Sequence, residues 1–432
     1  MRVTSALACL ALCCSSAALA GVTEPPRWLA AAAGNQTPAA ASGAPALVLW
    51  DEAEVTVDTS GRITTVERYA LRVLTPEGRK EAEAHKYYPA DTAKVNELQG
   101  WLISPSGRVR VLGKDHVTDR EPGDAFYEQA RVRSLNASQE CGEGWIFGYE
   151  SSIEERSVFT QLVWEFQWRL PVIESRYVLH LPAGWEAKAA LLNHAPVAPS
   201  VSGNRYTWEI RDLPYLEPEP GGPPLTSLAP RLAVSLFPAG RTSLGETFAN
   251  WVDVSRYTAE LHDPQSAPDA AIAARAQGLT AGASTEIDKI RAIAQYVQNL
   301  RYVSIQMGIG QGGGFRPHAA SLVFAKGYGD CKDKANLMRA MLRSIGITSF
   351  PVLIYAGDTR FVREEWPSPQ QFNHCIIAIL VSENATGYAV VRLPSLGRVL
   401  IFDSTDPDTP LANSRKTSRA AWPCWRRGIK AR

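Results

Sequence analysis

Residues 327–346, GYGDCKDKANLMRAMLRSIG, decide how the C-terminal half of this chain folds. The apolar side chains of the stretch recur at the spacing of one helix face: Leu337, Met338, Met341, Leu342 and Ile345. Asp330 precedes that stripe and is followed three positions later by Asp333, which is the spacing of a helix N-cap and its partner. The pattern predicts a helix that begins at Cys331 and ends close to Gly346.

The predicted position of Cys331, in the first turn of this helix, has a chemical consequence. Unpaired backbone amides and the positive end of the helix dipole stabilise an anion there, so the position favours the thiolate, which is the nucleophilic form of cysteine. Small polar residues are nevertheless common at helix starts for structural reasons alone. The cysteine by itself therefore leaves a structural and a catalytic interpretation open.

Two apolar runs downstream supply the other groups that a thiol nucleophile needs, an imidazole and a carboxylate that orients it. The run HCIIAIL begins with His374, and the run VLIF is followed directly by Asp403. Both runs have the composition of buried strands. If they pair antiparallel and pack on the helix of Cys331, His374 lies beside Asp403 and both approach the thiol. Cys375 would then point to the opposite face of its strand, into the core.

Three motifs around these residues resemble the cysteine, histidine and aspartate boxes of the transglutaminase-like superfamily: Gly329-Asp330-Cys331-Lys332-Asp333, Asn373-His374 and Phe402-Asp403-Ser404-Thr405. The resemblance extends over about residues 285–408. It implies an α+β, cysteine-protease-like core in which Cys331 is the nucleophile, His374 the acid and base, and Asp403 the orienting carboxylate. Ser404 stands where the family usually has proline, a small change that should leave Asp403 in place.

The resemblance also implies an oxyanion hole made of the nucleophile's backbone amide and a donor from an upstream segment. Gln306 is the candidate donor. The glycines between positions 308 and 314 lack the Gly-Lys-Ser/Thr sequence of a phosphate-binding loop, so they predict a loop beside the active site. His318 could serve as an alternative base, although its place before the cysteine helix favours a supporting role.

A zinc site formed by Cys331, His374 and Asp403 is a further interpretation of the same residues. Paired Cys-x-x-Cys or His-x-His spacing, which is typical of zinc sites, does not accompany them in the sequence. We therefore expect neither a metal nor a cofactor.

The N-terminal half has the alternating apolar pattern of β-strands. Residues 46–58 and 62–74 flank the turn Thr59-Ser60-Gly61, which predicts a hairpin. A second hairpin is expected where residues 101–103 and 109–112 flank a Ser-Pro-Ser-Gly turn. These strands predict a β-sandwich-like domain.

The expected domain order follows from these patterns. Residues 46–215 would form the β-rich N-terminal domain, similar to a domain of unknown function that precedes the core in bacterial exported members of the superfamily. Prolines and glycines in 216–230 predict a linker. Residues 231–410 would form the transglutaminase-like catalytic domain, so the fold class is α+β.

Both ends of the chain differ in composition from the rest. Residues 1–20 carry an apolar run that ends in Ala18-Leu19-Ala20, which predicts a signal peptide and an exported, periplasmic or extracellular protein. Residues 21–45 predict a flexible lead-in. Residues 411–432 form a basic, aperiodic tail for which we expect disorder. Related chains would be expected to continue further, which puts the support of the last strand in question.

Composition limits the partners. The chain has 432 residues with 45 Lys+Arg against 44 Asp+Glu, a net charge of +1, which disfavours a polybasic nucleic-acid binder. Beyond residue 20 no apolar run is long enough to span a bilayer. We expect an amide-bond enzyme acting on peptide, protein or peptidoglycan, hydrolytic rather than crosslinking. The alternative is a noncatalytic scaffold or binding module of the cell envelope.

Overall fold

The computed structural model describes residues 24–122, 130–157, 159–238, 246–304, 314–386, 389–407 and 411. The α-helices are α1 (Arg27–Ala33), α2 (Trp251–His262), α3 (Ala270–Thr280), α4 (Glu286–Gln298), α5 (Ala320–Lys326) and α6 (Cys331–Ser344). Short 3₁₀ helices lie at Ala39–Ala41, Pro76–Glu81, Lys114–His116, Leu225–Ser227, Pro264–Ser266 and Pro369–Gln371. None of the helices in these ranges combines the length and apolar composition that crossing a bilayer requires.

The strands divide between the two halves of the chain. Those of the N-terminal half are β1 (Ala46–Val57), β2 (Arg62–Val73), β3 (Glu83–Pro89), β4 (Ala93–Ile103), β5 (Val109–Leu112), β6 (Val117–Arg120), β7 (Ala130–Asn136), β8 (Ile146–Arg156), β9 (Gln161–Glu165), β10 (Val172–His180), β11 (Glu186–Leu192), β12 (Ser200–Ser202), β13 (Arg205–Leu213) and β14 (Arg231–Phe237). Those of the C-terminal half are β15 (Arg301–Tyr302), β16 (Tyr328–Gly329), β17 (Ser349–Ile354), β18 (His374–Leu380), β19 (Val390–Leu393) and β20 (Gly397–Phe402).

The N-terminal half is built around a large sheet of order β12-β13-β10-β1-β2-β8-β4-β5, with smaller sheets β11-β14-β9 and β3-β7-β6. The predicted hairpins are confirmed, since β1 pairs antiparallel with β2 and β4 with β5. Gly61 in the first turn has φ +78°, a conformation that glycine adopts without steric cost. Phe147, Phe166 and Leu232 are buried in the common core of this half.

The predicted boundary at residue 231 is wrong. Strand β14 starts at Arg231 and lies between β11 and β9, so it belongs to the N-terminal half. Its side chains are buried on both faces, and Trp366 of the C-terminal half packs against Ala233. A strand that is buried on both faces lacks the alternation of apolar and polar residues that marks a strand with one exposed face. The sequence pattern therefore did not indicate that β14 belongs to the N-terminal half.

The prediction of a flexible lead-in over residues 21–45 is also wrong where the structure describes them. Residues Arg27–Ala33 form α1, whose Leu29 and Ala32 are buried. Gly148 of β8 makes room for this helix, because a Cβ at that position would lie 2.7 Å from Leu29 Cδ1. An alanine-rich segment has high intrinsic helix propensity and needs only a few apolar contacts to dock.

The C-terminal half places α6 at the centre of its core. Helices α3, α4 and α5 pack around α6, which also contacts β17 and β18 of the sheet β17-β18-β20-β19. Leu337, Met338, Met341 and Leu342 of the apolar stripe are fully buried, as the helical spacing predicted, and Ile345, which follows α6, is partly buried. The mostly β N-terminal half and this mixed core confirm the α+β class.

Candidate active site

The start of α6 is held by a reciprocal pair of hydrogen bonds. The Asp330 side chain accepts from the backbone N–H of Asp333 at 3.2 Å, and the Asp333 carboxylate accepts from the N–H of Asp330 at 3.3 Å. Gly329 must lack a side chain, since a Cβ there would lie 2.6 Å from Asp333 Cβ. This capping box confirms the predicted helix start and makes Cys331 the first residue of α6.

His318 supports this helix start. Its Nδ1 lies 3.0 Å from Asp333 Oδ2, and its backbone N–H donates to Asp333 Oδ1 at 2.8 Å. Asp333 is completely buried, so both contacts help to satisfy a carboxylate that water cannot reach. The structure therefore places His318 against the capping carboxylate, in a supporting position.

His374 and Asp403 meet at one end of the four-stranded sheet. His374 opens β18 and pairs with Ile354 of β17, while Asp403 directly follows β20. The imidazole Nε2 lies 2.8 Å from Asp403 Oδ2. The other carboxylate oxygen accepts from the N–H and hydroxyl of Thr405 at 2.8 and 2.6 Å. Both oxygens are thus occupied, and the carboxylate has one orientation toward the ring.

The thiol of Cys331 lies close enough to the same imidazole to interact with it. Burial disfavours the imidazolium, but the hydrogen bond to Asp403 and the negative charges of Asp403 and Cys331 outweigh it and raise the pKa of His374 to about 10. For Asp403, burial works in the opposite direction and is outweighed by His374 and Thr405, which leave its pKa below the ordinary value. The site therefore stabilises an imidazolium between carboxylate and sulfur.

Whereas Cys331 is partly exposed, Cys375 is buried. It is 2% exposed, and burial raises the pKa of its thiol well above the ordinary value. The prediction that Cys375 is a core residue is confirmed. Among the described cysteines, Cys141 is also buried, and Cys331 is the one that is partly exposed.

Tyr302 lies at the site although its sequence position did not indicate it. Strand β15 pairs with β16 so that Tyr302 is opposite Gly329, and the tyrosine hydroxyl lies near the backbone N–H and the thiol of Cys331. Burial, followed by the nearby charges of Cys331 and Asp330, raises the pKa of Tyr302 to about 12. The phenol consequently keeps its proton and can donate a hydrogen bond. The only sequence signal was the Arg-Tyr-Val run of a short strand. Gln306, the predicted oxyanion donor, lies outside the described residues.

Two buried lysines flank the nucleophile. The Nζ of Lys334 donates to the backbone oxygens of Gln298 and Leu300 at 3.1 and 3.0 Å, which caps the end of α4. Burial lowers the pKa of Lys334. Lys332 forms an ion pair with Asp330. These cations partly balance the carboxylates at the start of α6.

The geometry bears on the zinc interpretation as well. Asp403 accepts a hydrogen bond from Nε2 of the His374 imidazole, and the thiol of Cys331 lies near the same ring. Within the described ranges, no group of three or more His, Cys, Asp and Glu side chains could hold a metal ion. The arrangement fits proton transfer between neighbouring groups.

The N-terminal half holds the loop that leads into His374. Gln161 Nε2 donates to the backbone oxygen of Pro367 at 2.8 Å, and Arg363 Nη1 donates to Asn193 Oδ1 at 2.9 Å. Next to the histidine, the side chain of Asn373 accepts from the N–H of Ala356 at 2.6 Å. The β-rich half thus contributes to the position of the imidazole.

Comparisons with known proteins agree with the two halves of this architecture. Residues 59–217 match the model of a domain of unknown function with a solved structure, DUF3857. Residues 273–385 match the model of the transglutaminase-like superfamily. The resemblance that the sequence motifs indicated is therefore confirmed.

Solved structures add a comparison of the fold. A "putative protease" from Parabacteroides distasonis is 17% identical, with a TM-score of 0.63 over 84% of this chain and 72% of its own, which shows a shared fold. A "putative cysteine protease" from Cytophaga hutchinsonii is 10% identical over 83% of each chain, with a TM-score of 0.23. No curated protein matches the chain.

Proposed function

Because residues 273–385 belong to the transglutaminase-like superfamily, we propose that this chain is a cysteine enzyme that acts on amide bonds of peptides or proteins. The observation that carries the proposal is that Cys331 and Asp403 both lie beside the imidazole of His374, which is hydrogen-bonded to Asp403. A noncatalytic scaffold has no need of a partly exposed thiol at a helix start beside an oriented imidazole.

In the proposed reaction the Cys331 thiolate attacks the amide carbonyl carbon. A carbon–sulfur bond forms, and the carbonyl electrons move to the oxygen. The tetrahedral intermediate collapses as its carbon–nitrogen bond breaks, and the His374 imidazolium gives its proton to the departing amine. Asp403 keeps the ring oriented and stabilises its charged form throughout.

The resulting thioester needs a second nucleophile. Water, deprotonated by the now neutral His374, would add to the thioester carbon, expel the thiolate and release a carboxylic acid. An amine in the place of water would give a crosslinked product by the same steps. We favour hydrolysis, and peptidoglycan amides remain part of the proposed substrate class by family analogy.

The oxyanion would lie close to the backbone N–H of Cys331. The hydroxyl of Tyr302, which lies near that N–H, would donate to the oxyanion as well, so that two donors face the developing charge. Gln306 stays a candidate for an additional donor. We also propose that the protein acts outside the cytoplasm, because of its signal-peptide-like residues 1–20.

The alternative function is a noncatalytic module of the cell envelope that keeps these residues as scaffold. Labelling with a thiol-directed electrophile that mimics an amide separates the two. An enzyme predicts fast labelling of Cys331 that His374→Ala slows by about 10²-fold or more. Labelling of Cys331 at the slow rate of a buried thiol, unchanged by His374→Ala, would favour the scaffold.

Turnover is the second test. We would incubate a panel of peptide and peptidoglycan amides with the wild type and with Cys331→Ser, with and without an added primary amine. Loss of product in Cys331→Ser, with full activity in the control Cys141→Ser, is the expected result. Acid products in the presence of amine would support hydrolysis, and amide exchange would support crosslinking. Equal products from wild type and Cys331→Ser would refute the proposal.

A further inference from the structure

A cavity of about 840 Å³ lies between strand β17 and helix α2, and none of the triad residues lines it. We call it the β17 groove, and its walls are residues 349–353 of β17, the face of α2 that carries Trp251 and Val254, and the C-terminal half of α6. Strand β17 is an edge strand, since only β18 pairs with it in the sheet. The groove therefore runs along an open sheet edge.

The hydrogen-bond register shows which backbone groups face this groove. Leu380 donates to the oxygen of Thr348 at 2.9 Å, one position beyond the pair of Ser349 and Ile379, so this bond continues the register of the ladder. Bonded and non-bonded pairs alternate in an antiparallel ladder. It follows that Ser349, Pro351 and Leu353 direct their backbone groups away from β18.

Two side-chain observations agree with that register. Pro351, which has no N–H, occupies a position where the ladder with β18 needs none. The oxygen of Ser349 accepts from Arg339 Nε at 3.4 Å, and Arg339 lines the groove. Among the described residues, no backbone acceptor is found for the N–H groups of Ser349 and Leu353. The edge presents hydrogen-bonding groups without partners to an open space.

The groove leads toward the proposed nucleophile. Its residue Leu353 adjoins Ile354, and Phe372 is two positions before His374; Ile354 and His374 are opposite each other in the ladder. The far end, at Ser349, is four residues back along β17, or about 13 Å at about 3.3 Å per strand residue. A chain lying along β17 would thus reach the triad at one end and the C-terminal half of α6 at the other.

That far end carries positive charge. Arg339 is 8% exposed and donates to Asp263 Oδ1 at 2.5 Å, while its Nη1 is buried and has no partner among the described residues. Arg343, one helical turn further along α6, also lines the groove and is exposed. A buried guanidinium nitrogen without an acceptor is costly, and a carboxylate would satisfy it. Near the triad, the walls carry the aromatic rings of Trp251 and Phe372 together with Glu364.

We infer that the β17 groove binds the substrate as an added strand, and that the preferred substrate is an extended peptide with an acidic residue four or five positions from the reacting amide. This inference rests on the proposed function and names the substrate class of the same site. Main-chain hydrogen bonds to Ser349 and Leu353 would supply affinity, and the two arginines would select the acidic side chain.

Binding is tested apart from turnover, with the full chain carrying Cys331→Ala. Fluorescent decapeptides place Glu four or five positions before or after a central amide, and matched peptides carry Gln instead. In low salt we expect one Glu peptide to bind about five-fold or more tightly than its Gln analogue. Arg343→Gln should abolish that preference, and the control Arg291→Gln, on the exposed face of α4, should retain it.

Binding as an added strand also makes a second prediction, which concerns the peptide backbone and does not depend on the acidic side chain. Methylation of alternate backbone nitrogens in the peptide should weaken binding by about ten-fold in one register and little in the other, because only every second N–H faces β17. Equal effects in both registers, or equal binding of Glu and Gln peptides, would overturn the inference. Binding of hexadecanoate with no binding of peptide would overturn it as well, in favour of a small amphipathic acid.

The outcomes distinguish the proposed peptide binding in the β17 groove from the proposed reaction at Cys331. Alternating N-methyl effects and a Glu preference in Cys331→Ala, with no turnover by wild type, would keep the groove and reject the proposed enzyme. Turnover by wild type with neither effect would keep the enzyme and reject the groove.

Discussion

His374 Nε2 and Asp403 Oδ2 lie 2.8 Å apart, and the second oxygen of the same carboxylate is held by Thr405. The two residues come from the start of one strand and the end of its neighbour, so the sheet itself sets their separation. A carboxylate restrained on both oxygens orients the imidazole without depending on solvent. The following predictions test this arrangement and the residues around it.

Asp403→Asn should lower kcat/KM by about 10²- to 10⁴-fold, because the ring loses its orienting charge. The raised pKa of His374 also predicts that wild-type activity is lost as pH rises through about 10, where the imidazolium deprotonates. In Asp403→Asn this alkaline limb should move to lower pH. A pH profile of kcat/KM measures both effects, and Ser404→Ala is the neighbouring control. An alkaline limb that stays in place would contradict the assigned role.

Tyr302→Phe should lower kcat by about 10- to 10²-fold with little change in KM, because the hydroxyl is expected to stabilise the oxyanion and not the bound substrate. Steady-state kinetics with one peptide substrate make the measurement. Tyr328→Phe is a matched control, because Tyr328 lies on the paired strand β16. The substitution removes only the hydroxyl and keeps the ring that Lys326 contacts. An effect confined to KM would argue for substrate contact instead.

His262 should make the protein sensitive to mild acid. Burial, followed by the charge of Arg339, lowers the pKa of His262 to about 4. The unfolded chain takes up a proton below its ordinary pKa of about 6.5, whereas the native state does not until about 4, so stability falls as pH drops through that window. The expected loss is roughly 3 kcal/mol.

Urea unfolding of the wild type and of His262→Gln at pH 7 and at pH 4.5 measures the contribution of the histidine over this interval, which is roughly 2 kcal/mol. The wild type should lose more stability than His262→Gln between the two pH values, whereas Glu165, whose pKa burial raises to about 7, acts in the opposite direction in both proteins. His85→Gln, at an exposed histidine of the N-terminal half, should leave the difference unchanged. A pH dependence of stability that is the same in His262→Gln as in the wild type would rule out the buried neutral histidine.

Lys334→Met should destabilise the fold by about 1–3 kcal/mol, since two carbonyl groups at the end of α4 lose a charged donor. The midpoint and slope of urea unfolding give the value. Lys326→Met, an exposed lysine at the end of α5, should change stability by less than about 0.5 kcal/mol. Equal effects of the two substitutions would show that the cap contributes nothing.

Sequence patterns predicted those parts of the site that depend on residues close together in the sequence. The helix at Cys331 follows from a capping box three residues apart and an apolar stripe, and the strands at His374 and before Asp403 follow from short apolar runs. Each of these signals lies within a few positions of the residue it concerns. The motifs then indicated the superfamily.

The parts that the patterns missed depend on contacts between distant segments. Tyr302 lies near Cys331 because β15 pairs with β16, two strands of two residues each. The boundary error at Arg231 has the same origin, because β14 is recognised as part of the N-terminal half only by its partners β11 and β9. The composition of a short strand does not indicate which other strand it pairs with.

Periodicity and capping, which act between near neighbours, determined the elements of this protein, its α+β class and the three side chains of the proposed triad. Only the tertiary structure decided that one imidazole joins the sulfur to the carboxylate, that His318 supports Asp333, and that an open edge of β17 faces a groove. The reason is physical: backbone propensities operate over one or two turns, whereas burial and strand pairing depend on which segments the whole chain brings together.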